Sequence, residues 1–457
     1  MKRWPHQIQT SKKQLKVPTL LDLSDAGTGK TLAALDAFAF RRKNSGKCAL
    51  VVAPKALLDP AWGEDIAKFH PQLTFSVAYA SNRAKAFDAD VDIYITNTDA
   101  VKWIAKQKRT FFEKFDTLII DEISYFKHRT SQRSKALKKI ALLTPLHRKN
   151  EPYFKYKVGM TATPTSTSIT DIWHQTLIID GGERLGTGFA AFRDAVCQPV
   201  ITNPMQPSWI KWQDKPEAQE SVSQILADIT VRHEFDDVMK DIPDQDKRVL
   251  NYRPSAKLMK LYEEMKKECL LELKEGDVTA VNAAALRQKL LQVASGRVYG
   301  ASGAYTLDSG RNELIVELIL GRAHSVVFWN WRHQREALVE SLTAKKVDFV
   351  EIGSDTKDAD RRSIVQEYQA GKYQTVLMHP QSGAHGLTLT KGTSAIWCSP
   401  TDRADLLVQG DARIRRGGQK LATESIRVCA VGTLEEQMYE RTNEKLDAMT
   451  ELMRMLK

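Results

Sequence analysis

The segment from Leu23 to Leu32 places a glycine-rich turn, a lysine and a threonine where a predicted strand becomes a predicted helix. Residues 18–23 form a short, mostly apolar run, and the apolar residues after Thr31 recur at helical spacing. Glycine lets backbone N–H groups approach a ligand closely, and the start of a helix favours negative charge. The segment therefore predicts a cradle for a polyphosphate. An ordinary turn with a helix cap is the alternative.

Two side chains of this segment are suited to contact a nucleotide and its metal ion. Lys30 is expected to reach the outer phosphates, and the hydroxyl of Thr31 is expected to bind magnesium. Ser24 departs from the usual pattern, because a glycine is expected six residues before the lysine. The predicted nucleotide-binding residues of the segment are Ala26, Gly27, Thr28, Gly29, Lys30 and Thr31.

A second apolar segment, residues 115–122, ends in the adjacent acids Asp121 and Glu122. Parallel α/β folds keep their ligands at the carboxyl ends of strands. A nucleotide hydrolase needs one carboxylate to hold Mg²⁺, partly through water, and a second to orient or deprotonate the attacking water. Asp121 suits the metal role and Glu122 suits the catalytic role. Two acids at a strand end are often only a solvated turn, but after a phosphate-binding segment they favour an NTPase.

The composition is that of an ordinary globular protein. The chain has 457 residues, enough for two or three domains, with 42% hydrophobic and 27% charged residues. Its formal net charge of +11 favours a partner that carries phosphates. The five cysteines are scattered without the spacing of a zinc site, and no apolar run approaches the roughly 18 residues of a membrane span. We therefore expect reduced cysteines, no membrane association and a cytosolic location.

The order of apolar segments predicts an α/β protein in three parts. Alternating strands and helices predict a parallel sheet in residues 1–178 and another in residues 311–457. Residues 179–310 are expected to be a mainly helical insertion and linker, in which Gly296–Gly310 is interpreted as a flexible connection. The predicted strands lie near residues 18–23, 48–53, 91–96, 116–121 and 156–161, and near 325–329, 348–352, 375–378, 395–398 and 425–430.

An arginine-rich block, residues 409–419, resembles the last motif of superfamily-two helicases of the Swi/Snf-related branch. The shared pattern is Gln, three residues, Arg, two residues, Arg, and then Gly-Gln. The resemblance implies two RecA-like lobes with parallel sheets and helical insertions between them. It also implies that Arg413 and Arg416 reach the γ-phosphate of a nucleotide bound in the cleft between the lobes. A guanidinium stays charged and can stabilise the charge that develops during phosphoryl transfer. A solvated basic helix is the alternative interpretation of the block by itself.

Further segments resemble motifs of the same family in the expected order. Residues 4–7 resemble its glutamine motif, in which Gln7 contacts the adenine edge of ATP. Ser124 stands where many relatives have histidine, and Thr388 stands where relatives often have asparagine. The resemblance implies nucleic-acid contacts by Lys55, Thr96, Asn97, Gly386 and Thr388, and coupling of hydrolysis to movement by Thr161, Thr163 and Gln409.

The resemblance implies an ATP-driven DNA translocase or helicase that uses ATP and magnesium, with duplex DNA favoured and forked or branched DNA as further substrates. A branch-migration or fork-processing helicase, an RNA helicase, and a nucleotide-gated nucleic-acid clamp without productive turnover are the open alternatives. A monomer in the cytoplasm of a bacterium or a phage-infected host is expected. Trp329 and Trp331 either stack on a base or pack in the core.

Overall fold

Two parallel β-sheets organise the protein, one in each of two compact units. The first unit comprises Met1–Lys240 with Lys445–Lys457, and the second comprises Asp241–Glu444. The structure is a computed structural model that describes residues 3–146, 151–201, 210–275, 280–300, 303–353, 355–383 and 387–456.

The first unit is built on a seven-stranded sheet in which all neighbouring strands are parallel. The strands of the unit are β1 (Thr19–Asp22), β2 (Cys48–Ala53), β3 (Phe75–Ala78), β4 (Ile93–Asn97), β5 (Phe115–Asp121), β6 (Tyr156–Met160), β7 (Cys197–Ile201), β8 (Ile210–Asp214) and β9 (Thr230–Val231). The sheet order is β3-β4-β2-β5-β6-β1-β9, and β7 and β8 form a separate antiparallel hairpin. Every residue of β2 is buried, as expected for a strand that is covered on both faces.

The helices of the first unit pack against this sheet around an apolar core. Apolar side chains of α2, the β2 strand and the β4 strand meet in that core, with Phe38, Val51 and Ile95 completely buried. The helices are α1 (Pro5–Lys16), α2 (Lys30–Lys43), α3 (Glu64–Phe69), α4 (Arg83–Asp88), α5 (Val101–Ile104), α6 (Arg109–Phe112), α7 (Gln132–Ala141), α8 (Asp171–Asp180), α9 (Phe189–Val196), α10 (Ala218–Leu226) and α11 (Phe235–Val238).

The second unit is built on a six-stranded parallel sheet and a short hairpin. Its strands are β10 (Gln245–Tyr252), β11 (Arg297–Gly300), β12 (Gly303–Thr306), β13 (Ser325–Phe328), β14 (Phe349–Ile352), β15 (Thr375–Met378), β16 (Ser394–Trp397) and β17 (Thr423–Ala430). The sheet order is β10-β17-β16-β13-β15-β14, and β11 pairs with β12. The helices are α12 (Ala256–Glu275), α13 (Ala280–Ala294), α14 (Gly310–Leu320), α15 (Arg332–Ala344), α16 (Asp358–Gln369), α17 (Pro380–Gly383) and α18 (Ala404–Asp411). The last helix, α19 (Leu434–Met455), begins in this unit, and its residues from Lys445 onward belong to the first unit.

The structure confirms the α/β class and a strand close to each of the ten predicted positions. Three strands of the large sheets were not predicted: β3, β9 and β10. Each lies at the edge of its sheet. β3 and β10 are partly exposed, which weakens their apolar pattern, and β9 has only two residues. The interpretation of Gly296–Gly310 as a flexible connection is wrong, because β11 and β12 form an antiparallel hairpin there. The three-part division of the chain stays a prediction.

Cys48, Cys197, Cys398 and Cys429 are buried and free. Within the described ranges, no helix has the length and apolar character needed to cross a membrane.

Candidate functional site

The loop between β1 and α2 has the backbone of a phosphate cradle. Gly27 and Gly29 adopt left-handed φ values of +84° and +80°, which are readily available to glycine. Helix α2 begins at Lys30, so the first N–H groups of the helix face the loop. Lys30 Nζ donates hydrogen bonds to the carbonyl oxygens of Ser24 and Asp25 at 2.7 and 3.0 Å. The ammonium group is therefore held across the turn where a polyphosphate would bind.

Helix α1 lies against this loop and brings Gln7 to it. Gln7 is 4% exposed, and its Nε2 donates a 3.4 Å hydrogen bond to the carbonyl oxygen of Gly29. A β carbon added to Gly29 would lie 2.1 Å from Gln7 Nε2, so a side chain cannot be added there without displacement. His6 Nε2 lies 2.7 Å from the carbonyl oxygen of Thr28. The glutamine motif therefore contacts the phosphate loop directly.

Ser24 has a structural role that explains why this position tolerates a residue other than glycine. The backbone N–H of Ser24 donates to Asp22 Oδ1 at 3.0 Å, and Ser24 Oγ accepts a 3.1 Å hydrogen bond from the N–H of His233. Arg232 Nη1 donates to Asp25 Oδ1 at 2.6 Å. The loop is thus anchored to the segment that follows β9. Sequence analysis did not predict this anchor, because its partners are more than 200 residues apart.

Asp121 ends β5 beside the phosphate loop and is 7% exposed. Burial is the largest influence on this carboxyl group and raises its pKa above the ordinary value. Two neighbours oppose that shift: Trp62 Nε1 donates a 2.9 Å hydrogen bond to Asp121 Oδ2, and the charge of Lys30 favours the ionised form. The nearby carboxylate of Asp22 acts in the same direction as burial. Lys30 and Asp121, predicted from separate segments, are therefore close enough to interact electrostatically.

Glu122 adopts an unusual backbone conformation at the end of the same strand. Its φ is +55°, in the left-handed region that non-glycine residues rarely occupy and that is often found at functional sites. Thr161 Oγ1 donates to Glu122 Oε2 at 3.1 Å and accepts a 3.1 Å hydrogen bond from the N–H of Thr163. The N–H of Thr161 donates to the carbonyl oxygen of Asp22. The predicted coupling threonines therefore connect Glu122 to the end of β1.

The available oxygen ligands fit magnesium. Magnesium prefers oxygen ligands and is usually held by one or two carboxylates together with substrate phosphates. Thr31, in the first turn of α2, and Asp121, at the end of β5, carry oxygen groups of the type that magnesium prefers. No group of three or more His, Cys, Asp or Glu side chains suited to a metal ion occurs among the described residues.

In the second unit, Arg413 and Arg416 converge on one backbone carbonyl. Arg413 Nη1 and Arg416 Nη1 donate to the carbonyl oxygen of Leu387 at 3.3 and 3.0 Å. Arg413 Nε also donates to the carbonyl oxygen of Gln409 at 2.8 Å. Gln419 supports the segment from inside, since its Nε2 donates to three backbone carbonyls, those of Thr390, Gly392 and Ile414. The arginine block is therefore folded onto the segment that contains Thr388.

The residues predicted to contact nucleic acid have different environments. Lys55 is exposed directly after β2, and Asn97 is half-buried at the end of the neighbouring β4. Thr96 is completely buried, and its hydroxyl donates to the carbonyl oxygen of Ala78 at 2.9 Å. Thr388 is half-buried, and Gly386 lies outside the described residues. Lys55 and Asn97 thus share one edge of the first sheet, whereas the Thr96 side chain faces the interior.

Two family models match consecutive parts of the chain. The SNF2-related domain matches residues 20–295, and the helicase conserved C-terminal domain matches residues 310–418. The first match covers the phosphate loop and both acids, and the second covers Arg413 and Arg416.

Individual relatives are distant. Putative protein p41 of Acyrthosiphon pisum secondary endosymbiont phage 1 is 27% identical over 440 residues, which cover 92% of this chain and 91% of that protein. An uncharacterized ATP-dependent helicase of Mycoplasma genitalium is 22% identical over 437 residues, covering 92% of this chain but 39% of that protein. The transcription regulatory protein SNF2 of Saccharomyces cerevisiae is 21% identical over 468 residues, with shares of 93% and 26%. The chain thus spans about two fifths or less of these two longer relatives.

A solved structure, the Sulfolobus solfataricus SWI2/SNF2 ATPase core in complex with dsDNA, is 18% identical. The alignment covers 96% of this chain and 90% of that chain, with a TM-score of 0.45.

Proposed function

Because this chain belongs to the SNF2-related family, we propose that it is an ATP-driven DNA translocase or helicase, which couples ATP hydrolysis to movement along DNA or to DNA remodelling. Its two parallel sheets are two RecA-like lobes, and membership of the family indicates ATPase activity. The observation that carries the proposal is that Lys30, held on the loop between β1 and α2, interacts electrostatically with Asp121, which is followed by the strained Glu122. The phage relative supports a bacterial or phage-infected setting.

The proposal gives each residue of the nucleotide site a distinct task. The backbone N–H groups of the loop and Lys30 bind the phosphates, and Gln7 contacts the adenine edge. Thr31 and Asp121 hold magnesium, which neutralises charge on the transferring phosphoryl group when it is bound. Glu122, whose carboxylate is held by Thr161, orients the attacking water or accepts its proton.

Arg413 and Arg416 are proposed to stabilise the charge that develops on the γ-phosphate. Hydrogen bonds to the carbonyl oxygen of Leu387 orient both guanidinium groups, and a guanidinium stays charged. Thr161, Thr163 and Gln409 are proposed to relay the state of the nucleotide to the segments that bind DNA. The hydrogen bond from Thr161 to Glu122 and the one from Arg413 to the Gln409 carbonyl support these roles.

Duplex DNA is the proposed nucleic-acid partner, gripped through its phosphate backbone. Lys55 and Asn97 are the proposed contacts in the first unit, and Thr388 with Gly386 in the second. The buried Thr96 is assigned a supporting role at the end of β4 instead of a direct contact. Backbone contacts of this kind give little sequence preference and strong dependence on salt.

The decisive experiment measures steady-state ATP hydrolysis alone and with duplex, single-stranded, forked or branched DNA, or RNA. We expect stimulation by duplex DNA. Lys30→Ala and Arg416→Ala should each reduce turnover by about 100-fold or more. Arg335→Ala is the matched control, because this arginine forms a partly exposed ion pair with Glu351.

The outcomes distinguish the alternatives. Stimulation by forks or junctions alone would favour branch migration or fork processing, and stimulation by RNA alone would favour an RNA helicase. Absence of stimulation by every nucleic acid would reject the proposal. Glu122→Gln tests the nucleotide-gated clamp, because this variant should bind ATP yet lose at least about 100-fold in turnover. If the variant loses turnover yet keeps full biological activity, the nucleotide-gated clamp is favoured.

A further inference from the structure

The second unit contains a cavity of about 370 Å³ that the nucleotide chemistry leaves without a role. The loops after β13, β15 and β16 form much of its wall, so it lies at the carboxyl ends of three neighbouring parallel strands. Ligands of open parallel sheets bind at this edge. The volume falls in the range of about 300–1,000 Å³ that is typical of small-ligand pockets.

Sequence analysis left open whether Trp329 and Trp331 stack on a base or pack in the core. The structure gives the two residues different surroundings. Trp329 packs against the apolar core of the second sheet and meets His379 edge-on at 5.1 Å. Trp331 lines the cavity instead. Its ring lies parallel to that of His333, at 6.2 Å and an interplanar angle of 5°. The backbone N–H of Trp331 donates to Gln334 Oε1 at 3.3 Å. The backbone of Trp331 is therefore anchored at the cavity wall, and its indole is stacked on His333.

The rest of the lining combines apolar surfaces, amides and a cation. Leu406 and Met438 contribute apolar surface, while Gln288 and Gln381 contribute amide groups with both donors and acceptors. Arg287, on α13, also lines the cavity and makes no ion pair within the described part of the chain.

Two of the other charged side chains at the cavity wall are neutralised by ion pairs. Arg403 pairs with Asp405, and Glu435 forms a buried two-bond ion pair with Arg311. Asp402 adds a negative charge at the same wall. Arg287 is therefore the lining cation with the most capacity to bind an anion.

We propose that this cavity holds one unpaired nucleobase of the bound DNA, stacked on Trp331, with Arg287 contacting the adjacent phosphate. The inference rests on the proposed function, because it needs a nucleic acid at this edge of the sheet. Enzymes that bind extruded bases place them between aromatic or apolar side chains and contact the base edge through hydrogen bonds. Trp331 with Leu406 and Met438 supplies the first feature, and the two glutamines supply the second.

The location agrees with the proposed DNA path. Gln381 belongs to α17, and Thr388 follows a few residues later in the same connection after β15. A strand gripped at Thr388 would therefore pass near the cavity. Stacking on an aromatic ring is tolerant of sequence, since every base has a π face, so the cavity would add affinity for unpaired positions without a sequence preference.

The test compares equilibrium binding of three otherwise identical duplexes: one fully paired, one with a single-nucleotide bulge and one with an abasic bulge. We expect the protein to bind the base-containing bulge about tenfold more tightly than the other two. Trp331→Ala should remove this preference, while Trp331→Phe should keep most of it. Phe40→Ala is the control for loss of an exposed aromatic, because Phe40 lies in the first unit and is 58% exposed. It should keep the preference.

Equal affinity of the unaltered protein for the base-containing and abasic bulges would overturn the inference, and this comparison needs no variant. A preference that persists unchanged in a folded Trp331→Ala protein, judged by its thermal midpoint, would also overturn it. Duplex-stimulated ATP hydrolysis without a bulge preference would leave the proposed function intact and reject only the cavity assignment. Failure of all nucleic acids to bind would reject both.

Discussion

Gly29 and Gly186 have similar positive φ values, +80° and +73°. Their surroundings differ completely. A β carbon at Gly29 would lie 2.1 Å from Gln7 Nε2, whereas one at Gly186 would have no heavy atom within 4 Å. Alanine substitutions at the two positions can therefore be compared. Both test the effect of a positive φ, but only the substitution at Gly29 also disturbs the contact between Gln7 and the phosphate loop.

Gly29→Ala should reduce ATP binding and turnover by at least about tenfold, because the added methyl group displaces Gln7 or the loop that binds phosphates. Gly186→Ala should cost only about 1 kcal/mol of unfolding free energy from its left-handed backbone and leave turnover unchanged. Nucleotide titration, steady-state turnover and urea unfolding of both variants provide the measurement. Equal turnover in the two variants would contradict the contact assigned to Gln7.

Trp62 contacts Asp121, the proposed magnesium ligand, and sequence analysis did not predict this contact. Trp62→Phe removes the hydrogen bond to Asp121 Oδ2 while keeping an aromatic ring. Groups that orient a metal ligand typically contribute about 10- to 100-fold to activity, so we expect turnover to fall about tenfold at neutral pH. Because the hydrogen bond lowers the pKa of Asp121, its loss should also move the acid limb of the activity profile to higher pH.

Trp173→Phe is the matched control for this experiment. It removes the same indole N–H, which donates to the carbonyl oxygen of Gly186 at 3.1 Å. Turnover and its pH profile should be unchanged. A similar loss in both variants would indicate general destabilisation rather than an effect on Asp121.

At the scale of elements, β6 shows what a covered parallel strand imposes on a charged side chain. Lys157 lies in this strand and is 4% exposed. Burial lowers its pKa from 10.5 to about 8, although the charges of Asp180 and Glu183 partly oppose the shift. The unfolded chain therefore binds a proton more readily than the folded protein between pH 8 and 10.5, and this group disfavours folding at neutral pH.

Lys157→Met should stabilise the first unit at pH 7, by up to about 3 kcal/mol from the difference between a pKa of 10.5 and one of about 8. Asp180 would keep its hydrogen bonds from the N–H groups of Gly182 and Arg184. The advantage over the unaltered protein should be complete below pH 8 and shrink as the pH rises toward 10.5. Urea unfolding at pH 7 and pH 10 measures both values. If the variant is less stable at pH 7, the charged group of Lys157 contributes more to stability through Asp180 and Glu183 than its burial costs.

At the scale of the whole molecule, the net charge of +11 favours binding to a polyanion. Binding through phosphate contacts releases counterions, so affinity falls linearly on a logarithmic salt scale. Net charge alone does not distinguish local contacts from a diffuse attraction. Single lysines at defined positions do, because each direct phosphate contact contributes about one unit to the salt slope.

Lys55→Gln should weaken duplex DNA binding equally for different sequences and reduce the salt slope by about one. Lys55 is exposed at the end of β2, beside Asn97. Lys345→Gln is the control, because it removes the same charge from an exposed lysine at the end of α15. The measurement is the affinity of both variants for duplex DNA over a series of salt concentrations. An identical change in slope for both variants would assign the effect to net charge.

Local sequence determined the elements and much of the candidate site. The strand-turn-helix of the phosphate loop, the acids that end β5 and ten strand positions follow from apolar spacing, glycine placement and residue type. These signals lie within a few residues of one another, because strand alternation, helix starts and turns depend on neighbouring dihedral angles and burial. Edge strands such as β10 were missed because exposure on one side weakens the apolar pattern.

Tertiary structure alone decided which distant groups became partners. Trp62 meets Asp121 across 59 residues of sequence, and Arg232 meets Asp25 across 207. It also decided that Trp331 lines a cavity while Trp329 packs in the core, although the two are separated by one residue. The spacing of residues along the chain indicates which side chains share a face of one strand or helix. The packing of strands and helices against one another brings hydrogen-bond donors, acceptors and charges within bonding distance. The sequence thus determined the chemical groups and the secondary structure that carries them, and the tertiary fold determined which groups are paired.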